Sequence, residues 1–223
     1  MKKLFFLLAT IAMGASMSAQ VSYEKVIATP EDWTGTYLIV CESQSVVFNG
    51  GNDTAKIDAK GGDAILQGVT FDESGVLAST EQLDTMTFTI EASGDTDWPW
   101  GIKSHSGLYL GHKDEDDNGL STEEELKKKC RNTLAIDENG NFIATARYED
   151  FGPYMLQYNK KAEQMRFRYF PANDKEAIQI YRRVAPTALE NTASPVQFVK
   201  RIEKGQLVIL KDGKKYNILG TQL

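Results

Sequence analysis

The residues best suited to chemistry in this chain of 223 residues lie in an acidic loop from Asp114 to Glu125. Its letters, DEDDNGLSTEEE, match the calcium-loop pattern D-x-[DN]-x-[DN]-G-x5-E at every specified position. In that pattern side-chain oxygens come from Asp114, Asp116 and Asn118, a backbone carbonyl from Leu120 and a bidentate carboxylate from Glu125. The loop therefore predicts a Ca²⁺ site, and no other cofactor is indicated. A solvated acidic loop is the alternative, because a strand rather than a helix is expected before it.

The two histidines, His105 and His112, are seven residues apart across a predicted hairpin. Such a pair could hold a metal ion or transfer a proton near neutral pH. No glutamate or cysteine recurs beside them at ligand spacing, so two solvent-facing histidines are expected. The chain also has no nucleophile signature such as G-x-S-x-G, and its carboxylates fall in predicted loops. These patterns favour a protein that is not an enzyme.

Aromatic residues accumulate in the middle and last thirds of the chain, several of them with polar neighbours. An exposed ring beside Asp, Asn or Gln can stack on the face of a pyranose. On this ground the predicted ligand-binding residues are Trp98, Trp100, Tyr109, Tyr158 and Asn159. Filling of the core or of a barrel end is the alternative for each ring.

Charged and aromatic residues alternate in the run R-F-R-Y from Arg166 to Tyr169, as in a half-buried strand. The two guanidinium groups, on Arg166 and Arg168, could bind a carboxylate or a phosphate. Alternatively they pair with local acids, of which Asp174 and Glu176 are the nearest candidates.

The elements that would position these residues begin after a predicted signal peptide at residues 1–19. Lys2 and Lys3 precede an apolar run of about nine residues, and small residues lead to a cut after Ala19. The run is too short to cross a bilayer, which needs roughly 20 apolar residues. We therefore expect an exported, soluble chain at the cell surface or outside the cell, with the periplasm as the alternative.

Charge is unevenly distributed along the chain, whose formal net charge is −6. Without Lys2 and Lys3 the net charge is −8, and because residues 199–223 carry +4, the rest of the chain carries −12. An acidic body without a basic stripe argues against binding to nucleic acid. The two cysteines, Cys41 and Cys130, could form a disulfide after export or remain buried thiols, and the sequence favours neither.

Between Trp33 and Arg183, short apolar runs bounded by Gly, Asn, Asp and Ser predict twelve strands in three groups of four. Three such groups predict an all-β fold, a β-trefoil-like closed barrel in residues 20–184, with a sandwich or irregular barrel as the alternative. One surface turn of helix is expected over Thr122–Lys129. The predicted strands are 35–40, 46–49, 65–71, 85–90, 100–104, 108–111, 119–120, 133–136, 142–146, 154–158, 165–170 and 178–181.

A stretch rich in Pro, Ser, Thr and Ala at residues 185–195 predicts a linker. Residues 196–223 predict a small β-hairpin or meander, with strands at 198–203, 206–211 and 215–219 and a turn at Asp212-Gly213. A segment of this size is too small to hold a core of its own.

The chain resembles a module that recurs in secreted proteins of Bacteroidetes-type bacteria. The resemblance spans residues 21–184 and is carried by SYEKVIATPEDWTGTYLIV, VFNG, GLYLG, NGL, NTLAI, MLQYN, RFRYF and IQIYRR. It implies export and supplies no catalytic residues. The tail VKRIEKGQLVILKDGKKYNILG is similar to C-terminal sorting or attachment segments of the type IX kind, which implies placement on the outer surface or outside the cell.

These observations favour a secreted or surface-exposed, non-enzymatic binding module whose partner is a glycan or a surface protein. A hydrolase acting on glycans or nucleic acid is one alternative. A structural or adhesion protein that binds another protein is the other.

Overall fold

Strands dominate the chain in a computed structural model that describes residues 21–50, 65–112, 119–146, 153–171, 175–185, 198–203, 206–211 and 214–217. Residue contacts divide the chain into two compact units. The first is Gln20–Pro186, and the strands after residue 197 belong to the second. The predicted signal peptide and nearly all of the predicted linker lie outside the described residues.

One antiparallel sheet contains all the described strands of the first unit, which confirms the all-β fold. The described part of this unit also contains one helical turn, α1 (Glu81–Asp84), and 3-10 turns at Glu42–Gln44 and Lys128–Cys130. The strands are β1 Ser22–Lys25, β2 Gly35–Cys41, β3 Val46–Phe48, β4 Ile65–Gln67, β5 Val76–Ala78, β6 Phe88–Ala92, β7 Trp100–Ser104, β8 Tyr109–Gly111, β9 Ser121–Glu123, β10 Arg131–Ile136, β11 Phe142–Ala146, β12 Tyr154–Asn159, β13 Arg166–Pro171 and β14 Gln179–Val184.

Eleven of the twelve predicted strands overlap a strand of the structure, and β7 and β11 match at both ends. The twelfth is displaced: Gly119 forms an isolated bridge with Tyr169, and β9 begins two residues later. The helical turn expected over Thr122–Lys129 is displaced: Ser121–Glu123 pairs with β8 as a strand, and a 3-10 turn forms at Lys128–Cys130. The sequence pattern does not predict β1 or β5: β1 is short and polar, and β5 has three residues, too few to show a period.

In each group of four strands the first strand pairs with the second and the second with the third; in the first two groups the first also pairs with the fourth. In the first group β2 pairs with both β3 and β6, and β3 pairs with β4. In the second group β7 pairs with both β8 and β10, and β8 pairs with β9. In the third group β11 pairs with β12, and β12 pairs with β13. Its outer strands, β11 and β14, form no ladder, so the sheet is not closed into a barrel. One backbone hydrogen bond still joins them, from the Phe142 amide to the Ile178 carbonyl at 2.8 Å.

The main core is aromatic and draws residues from all three groups of strands. Phe48 of the first group stacks on Phe167 of the third, with ring centroids 4.6 Å apart and the planes within 8° of parallel. Phe88 packs against Phe48 at 4.9 Å, and Tyr158 packs against Phe167 at the same distance. The Phe48–Phe167 contact connects segments more than a hundred residues apart in sequence.

A second, smaller cluster explains why β1, β5 and α1 form. The strand β2 is buried on both faces from Tyr37 to Cys41, so its outer face needs a cover. Tyr23 of β1, Leu77 of β5 and Leu83 of α1 pack there. The helical turn starts at Thr80, whose Oγ1 accepts a hydrogen bond from the Leu83 amide at 3.2 Å.

The cysteines are not paired: Cys41 and Cys130 are both free and buried. Burial raises the pKa of the Cys41 thiol and raises the pKa of the Cys130 thiol to about 11. Both sulfurs are therefore protonated thiols at neutral pH.

The second unit contains a three-stranded antiparallel meander, β15 (Phe198–Glu203), β16 (Gln206–Lys211) and β17 (Lys214–Tyr216). The first two predicted strands of the tail match β15 and β16 at both ends, and the third begins one residue earlier than expected. No helix in the described part of the chain is long and apolar enough to span a membrane.

Replacing Phe167 with alanine should lower the free energy of unfolding by about 3–5 kcal/mol, because the Phe48 ring would face a cavity. In a double-mutant cycle in urea, Phe48→Ala and Phe167→Ala should couple by about 0.5–1.5 kcal/mol. Val76→Ala, at a side chain that is 44% exposed, is the control and should change stability by less than about 0.5 kcal/mol. Strict additivity of the two phenylalanine substitutions would contradict the stacked packing.

A thiol reagent should modify neither cysteine in the folded protein at pH 8, since burial keeps both sulfurs protonated and covered. In denaturant without reductant it should titrate two thiols per chain. Titration of no thiol under those conditions would show a disulfide instead.

Candidate functional site

The β12–β13 hairpin presents a polar face on the outside and an aromatic face on the inside. Its register places Asn159 opposite Arg166 and Gln157 opposite Arg168. Successive side chains in a strand point to opposite faces, so these four residues share one face of the hairpin. Phe167, between the two arginines, is fully buried in the core.

A concave cleft of about 650 Å³ lies on this polar face. Its walls are the hairpin itself, the turn that joins the two strands, and the segment just before β14. Five of the lining side chains are cationic and one is acidic. The lining residues are Tyr158, Asn159, Lys160, Lys161, Gln164, Arg166, Arg168, Phe170, Lys175 and Glu176.

Local hydrogen bonds fix the shape of the cleft. The Asn159 Oδ1 accepts a hydrogen bond from the Lys161 amide at 3.0 Å, which holds the start of the turn. The Gln164 amide donates to the Lys161 carbonyl at 2.9 Å and closes it. On the other edge of β12, the backbones of Tyr158 and Glu176 exchange two hydrogen bonds, at 3.2 and 3.0 Å.

Glu176, the one carboxylate among the described lining residues, already has partners. The Lys160 Nζ lies 2.8 Å from Glu176 Oε1, and the Ser43 hydroxyl donates to Glu176 Oε2 at 3.2 Å. The Lys160 hydrogen bond lowers the pKa of Glu176, and the Glu176 carboxylate in turn raises the pKa of Lys160. Both groups therefore stay charged at neutral pH, which suits them to electrostatic interactions rather than to proton transfer.

Among the described lining residues of the cleft, five side chains are basic and one is acidic, a balance of +4. Arg166 and Arg168 are half-buried on the hairpin face. The Lys175 Nζ lies 5.3 Å from the centroid of the Phe170 ring, a cation–π geometry. Guanidinium forks and ammonium groups that converge on a concave surface are suited to binding carboxylate or sulfate groups.

Of the five predicted ligand-binding residues, the structure brings two to this cleft. Asn159 is buried and holds the turn, and Tyr158 lines the cleft while its ring packs in the core. Trp98, Trp100 and Tyr109 lie on or beside β7 and β8 and do not line it.

The other three predicted residues have structural contacts in the second group. The Trp98 carbonyl accepts a hydrogen bond from the Ser93 hydroxyl at 2.6 Å, and Trp100 packs against the core. Tyr109 is buried and donates its hydroxyl hydrogen to Glu91. That hydrogen bond, with burial, raises the pKa of Tyr109 to about 12.

For the predicted calcium loop, Asp114, Asp116 and Asn118 lie outside the described residues. The Leu120 side chain is buried in the core, and Glu125 is exposed. Within the ranges that the structure describes, no group of three or more His, Cys, Asp or Glu residues could hold a metal ion.

The expectation of two solvent-facing histidines is wrong for one of them. His105 is exposed, with its Nδ1 3.2 Å from the Thr87 hydroxyl. His112 is fully buried, and its ring centroid is 4.0 Å from that of Tyr154 in β12. This contact between distant parts of the chain could not be derived from the hairpin pattern around His112.

Sequence reasoning identified the two arginines of the cleft but missed its three lysines, Lys160, Lys161 and Lys175. All three flank the R-F-R-Y run within ten residues. Five cations so close together in a body that carries −12 were a signal that could have identified the cleft.

No protein-family model matches the chain. A search of curated proteins likewise finds no match. The functional argument therefore depends on the geometry of the cleft.

Replacing Lys160 with methionine should raise the pKa of Glu176 toward its ordinary value, as measured by NMR titration of the carboxyl group. Because the folded-state pKa of Glu176 is lowered, its contribution to stability is present above the unfolded-state pKa and is lost as the pH falls through the folded-state pKa. The loss at neutral pH should be small, since the Lys160 side chain is 59% exposed and solvent screens the pair.

Lys161→Met, in the same cleft, is the control and should move the pKa of Glu176 much less. An unchanged pKa in Lys160→Met would mean that the ion pair does not set the charge state of Glu176.

Proposed function

We propose that this chain is an exported, non-enzymatic binding module that holds an anionic glycan in the β12–β13 cleft. The observation that carries the proposal is the concentration of five cations around one paired carboxylate in a cleft of about 650 Å³. The anionic groups would be carboxylates or sulfates on sugar residues.

Electrostatics supports a ligand of negative charge. Like charges gathered in one concave site repel one another, and an anion in that site relieves the repulsion. Without Lys2, Lys3 and residues 199–223, the chain has a net charge of −12. The local excess of positive charge in the cleft is therefore opposite in sign to the charge of the chain around it. Arg166 and Arg168 can each offer a planar fork that matches a carboxylate or sulfate group.

Shape and polar lining support a small, hydroxylated ligand rather than a macromolecular surface. The cleft volume falls in the range of small-molecule sites, roughly 300–1,000 Å³. Asn159 and Gln164 add amide groups to its lining. Nucleic acid is disfavoured because backbone binding needs a longer basic track than a single cleft. Glycoside hydrolysis usually needs two carboxylates, whereas the described lining residues of this cleft include one, Glu176, which is paired with Lys160.

We propose a β-trefoil-like arrangement as the finer description of the fold. Three repeats of the same pairing pattern support it, as does the strand order β11-β10-β7-β6-β2-β14. The Phe142–Ile178 hydrogen bond lies where the two ends of that order would meet. In this arrangement β12–β13 is one of three related hairpins.

Export and surface placement are part of the same proposal. They are supported by the signal-like residues 1–19, by the resemblance to secreted modules of Bacteroidetes-type bacteria, and by the attachment-like tail at residues 196–223.

The purified protein should bind sulfated or uronic-acid glycans on an array and should not bind neutral glycans. Binding should weaken as salt is raised, because screening reduces the attraction between exposed charges. Repeating the array in chelator tests whether calcium at Asp114–Glu125 contributes. Absence of binding to every anionic glycan would reject the proposed ligand class.

Replacing Lys161 and Lys175 together with glutamine should weaken binding of an anionic glycan by about tenfold or more, measured by calorimetry. Lys103→Gln with Lys128→Gln is the matched control: it makes the same change in net charge outside the cleft and should leave affinity within about twofold. Equal losses in both double variants would indicate a long-range charge effect and not a site.

A further inference from the structure

The ion pair between Lys160 and Glu176 occupies part of the cleft to which we assign the anionic ligand. Both residues line the cleft, and the Lys160 Nζ lies 2.8 Å from Glu176 Oε1. Their side chains are 59% and 25% exposed, so a ligand can reach both. A carboxylate that contacts an ammonium group weakens its attraction for a second anion, because the two negative charges repel each other. An anion that binds Lys160 therefore competes with Glu176.

Glu176 is held in place more firmly than Lys160. The Ser43 hydroxyl donates to Glu176 Oε2 at 3.2 Å, and the backbones of Glu176 and Tyr158 exchange two hydrogen bonds. Lys160 follows β12 in the turn of the hairpin, and its ammonium group is carried on a flexible four-carbon chain. When the pair separates, the lysine is therefore the partner that moves, and the carboxylate stays at the cleft.

The charged and titratable groups around Glu176 leave it as the residue that decides the negative charge of the cleft lining. Glu42, on the same 3-10 turn as Ser43, forms an ion pair and a hydrogen bond of its own and does not line the cleft. The Cys41 thiol, 3.4 Å from the Ser43 hydroxyl, is protonated at neutral pH. The basic residues that share the cleft lining with Lys160 are Lys161, Arg166, Arg168 and Lys175.

Moving Lys160 from Glu176 to a ligand changes the proton affinity of Glu176. The hydrogen bond from Lys160 lowers the pKa of Glu176. Loss of that bond, with a second negative charge nearby, raises the pKa again. Coupling between two binding events is reciprocal. If a bound anion raises the pKa of Glu176, then protonation of Glu176 strengthens anion binding by the same factor.

We propose that Glu176 is an internal competitor that determines the specificity of the cleft: the anionic group of the ligand displaces it from Lys160, and protonation of Glu176 strengthens binding. This inference rests on the proposed function, because it needs an anion in the cleft. In acid the cleft should prefer sulfate esters, which are anions of strong acids. The carboxylate of a uronic acid takes up a proton in the same pH range as a glutamate.

The test measures the affinity of glucose 6-sulfate by calorimetry at pH 7 and at pH 4, for the unmodified protein and for Glu176→Gln. Glutamine has the same size and can still accept from Ser43, but it carries no charge. At pH 7 Glu176→Gln should bind about fivefold more tightly or better than the unmodified protein. Its affinity should also rise less on acidification, because the competing carboxylate has been removed.

Glu24→Gln, at an exposed position of β1, is the matched control. It makes the same change in net charge outside the cleft and should leave the affinity at pH 7 within about twofold.

Lys160→Met separates an exchange of partners from simple repulsion. Without an ammonium group to compete for, Glu176→Gln should gain less affinity in the Lys160→Met background, by about threefold or more. NMR titration of the unmodified protein should show the pKa of Glu176 raised in saturating glucose 6-sulfate. That measurement tests the same coupling if Glu176→Gln does not fold.

An equal gain in both backgrounds, no gain from Glu176→Gln, or an unchanged pKa of Glu176 in saturating glucose 6-sulfate overturns the competition and leaves the proposed function intact. If the unmodified protein and Glu176→Gln bind neither glucose 6-sulfate nor glucuronate at pH 7, the proposed function itself fails, and the competition fails with it.

Discussion

The alternation of side chains along β13 is the constraint on which the site depends. Phe167 and Tyr169 point into the core, where Phe167 stacks on Phe48 and the Tyr169 hydroxyl donates to Asn132 Oδ1 at 2.8 Å. Since neighbouring residues of a strand face opposite ways, this packing directs Arg166 and Arg168 outward onto one surface. The aromatic core thus determines where the positive charge of the cleft is held.

Several described carboxylates outside the cleft bond to strands that are distant in sequence. Glu42 accepts the Tyr181 hydroxyl at 2.8 Å and pairs with Lys25 at the same distance. Asp84 accepts the Tyr23 hydroxyl at 2.6 Å. Burial, together with these carboxylates, raises the pKa of both tyrosines, which therefore remain donors across the physiological range. These acidic residues therefore stabilise the fold by bonding to distant strands, whereas the cations of the cleft lie together on one surface.

The three groups of strands share a pairing pattern but differ in what their middle hairpins carry. In the first, β3 is buried along its whole length. In the second, Glu123 of β9 pairs with Lys127 and Lys129 at 2.6 and 2.8 Å and offsets part of their positive charge. In the third, cations outnumber acids by five to one in a concave surface. Hairpins with the same backbone pairing therefore carry different side-chain surfaces.

The sequence by itself determined the all-β class, eleven strand positions and the tail meander, because strand periodicity and turn residues are local properties. It also indicated the arginine pair, since alternation within R-F-R-Y is visible in four letters.

Only the tertiary structure decided that His112 is buried against Tyr154, and that Lys160, Lys161 and Lys175 converge on one cleft. The reason is physical: burial and convergence arise from contacts between strands distant in the chain, and a local pattern contains no information on which strands meet.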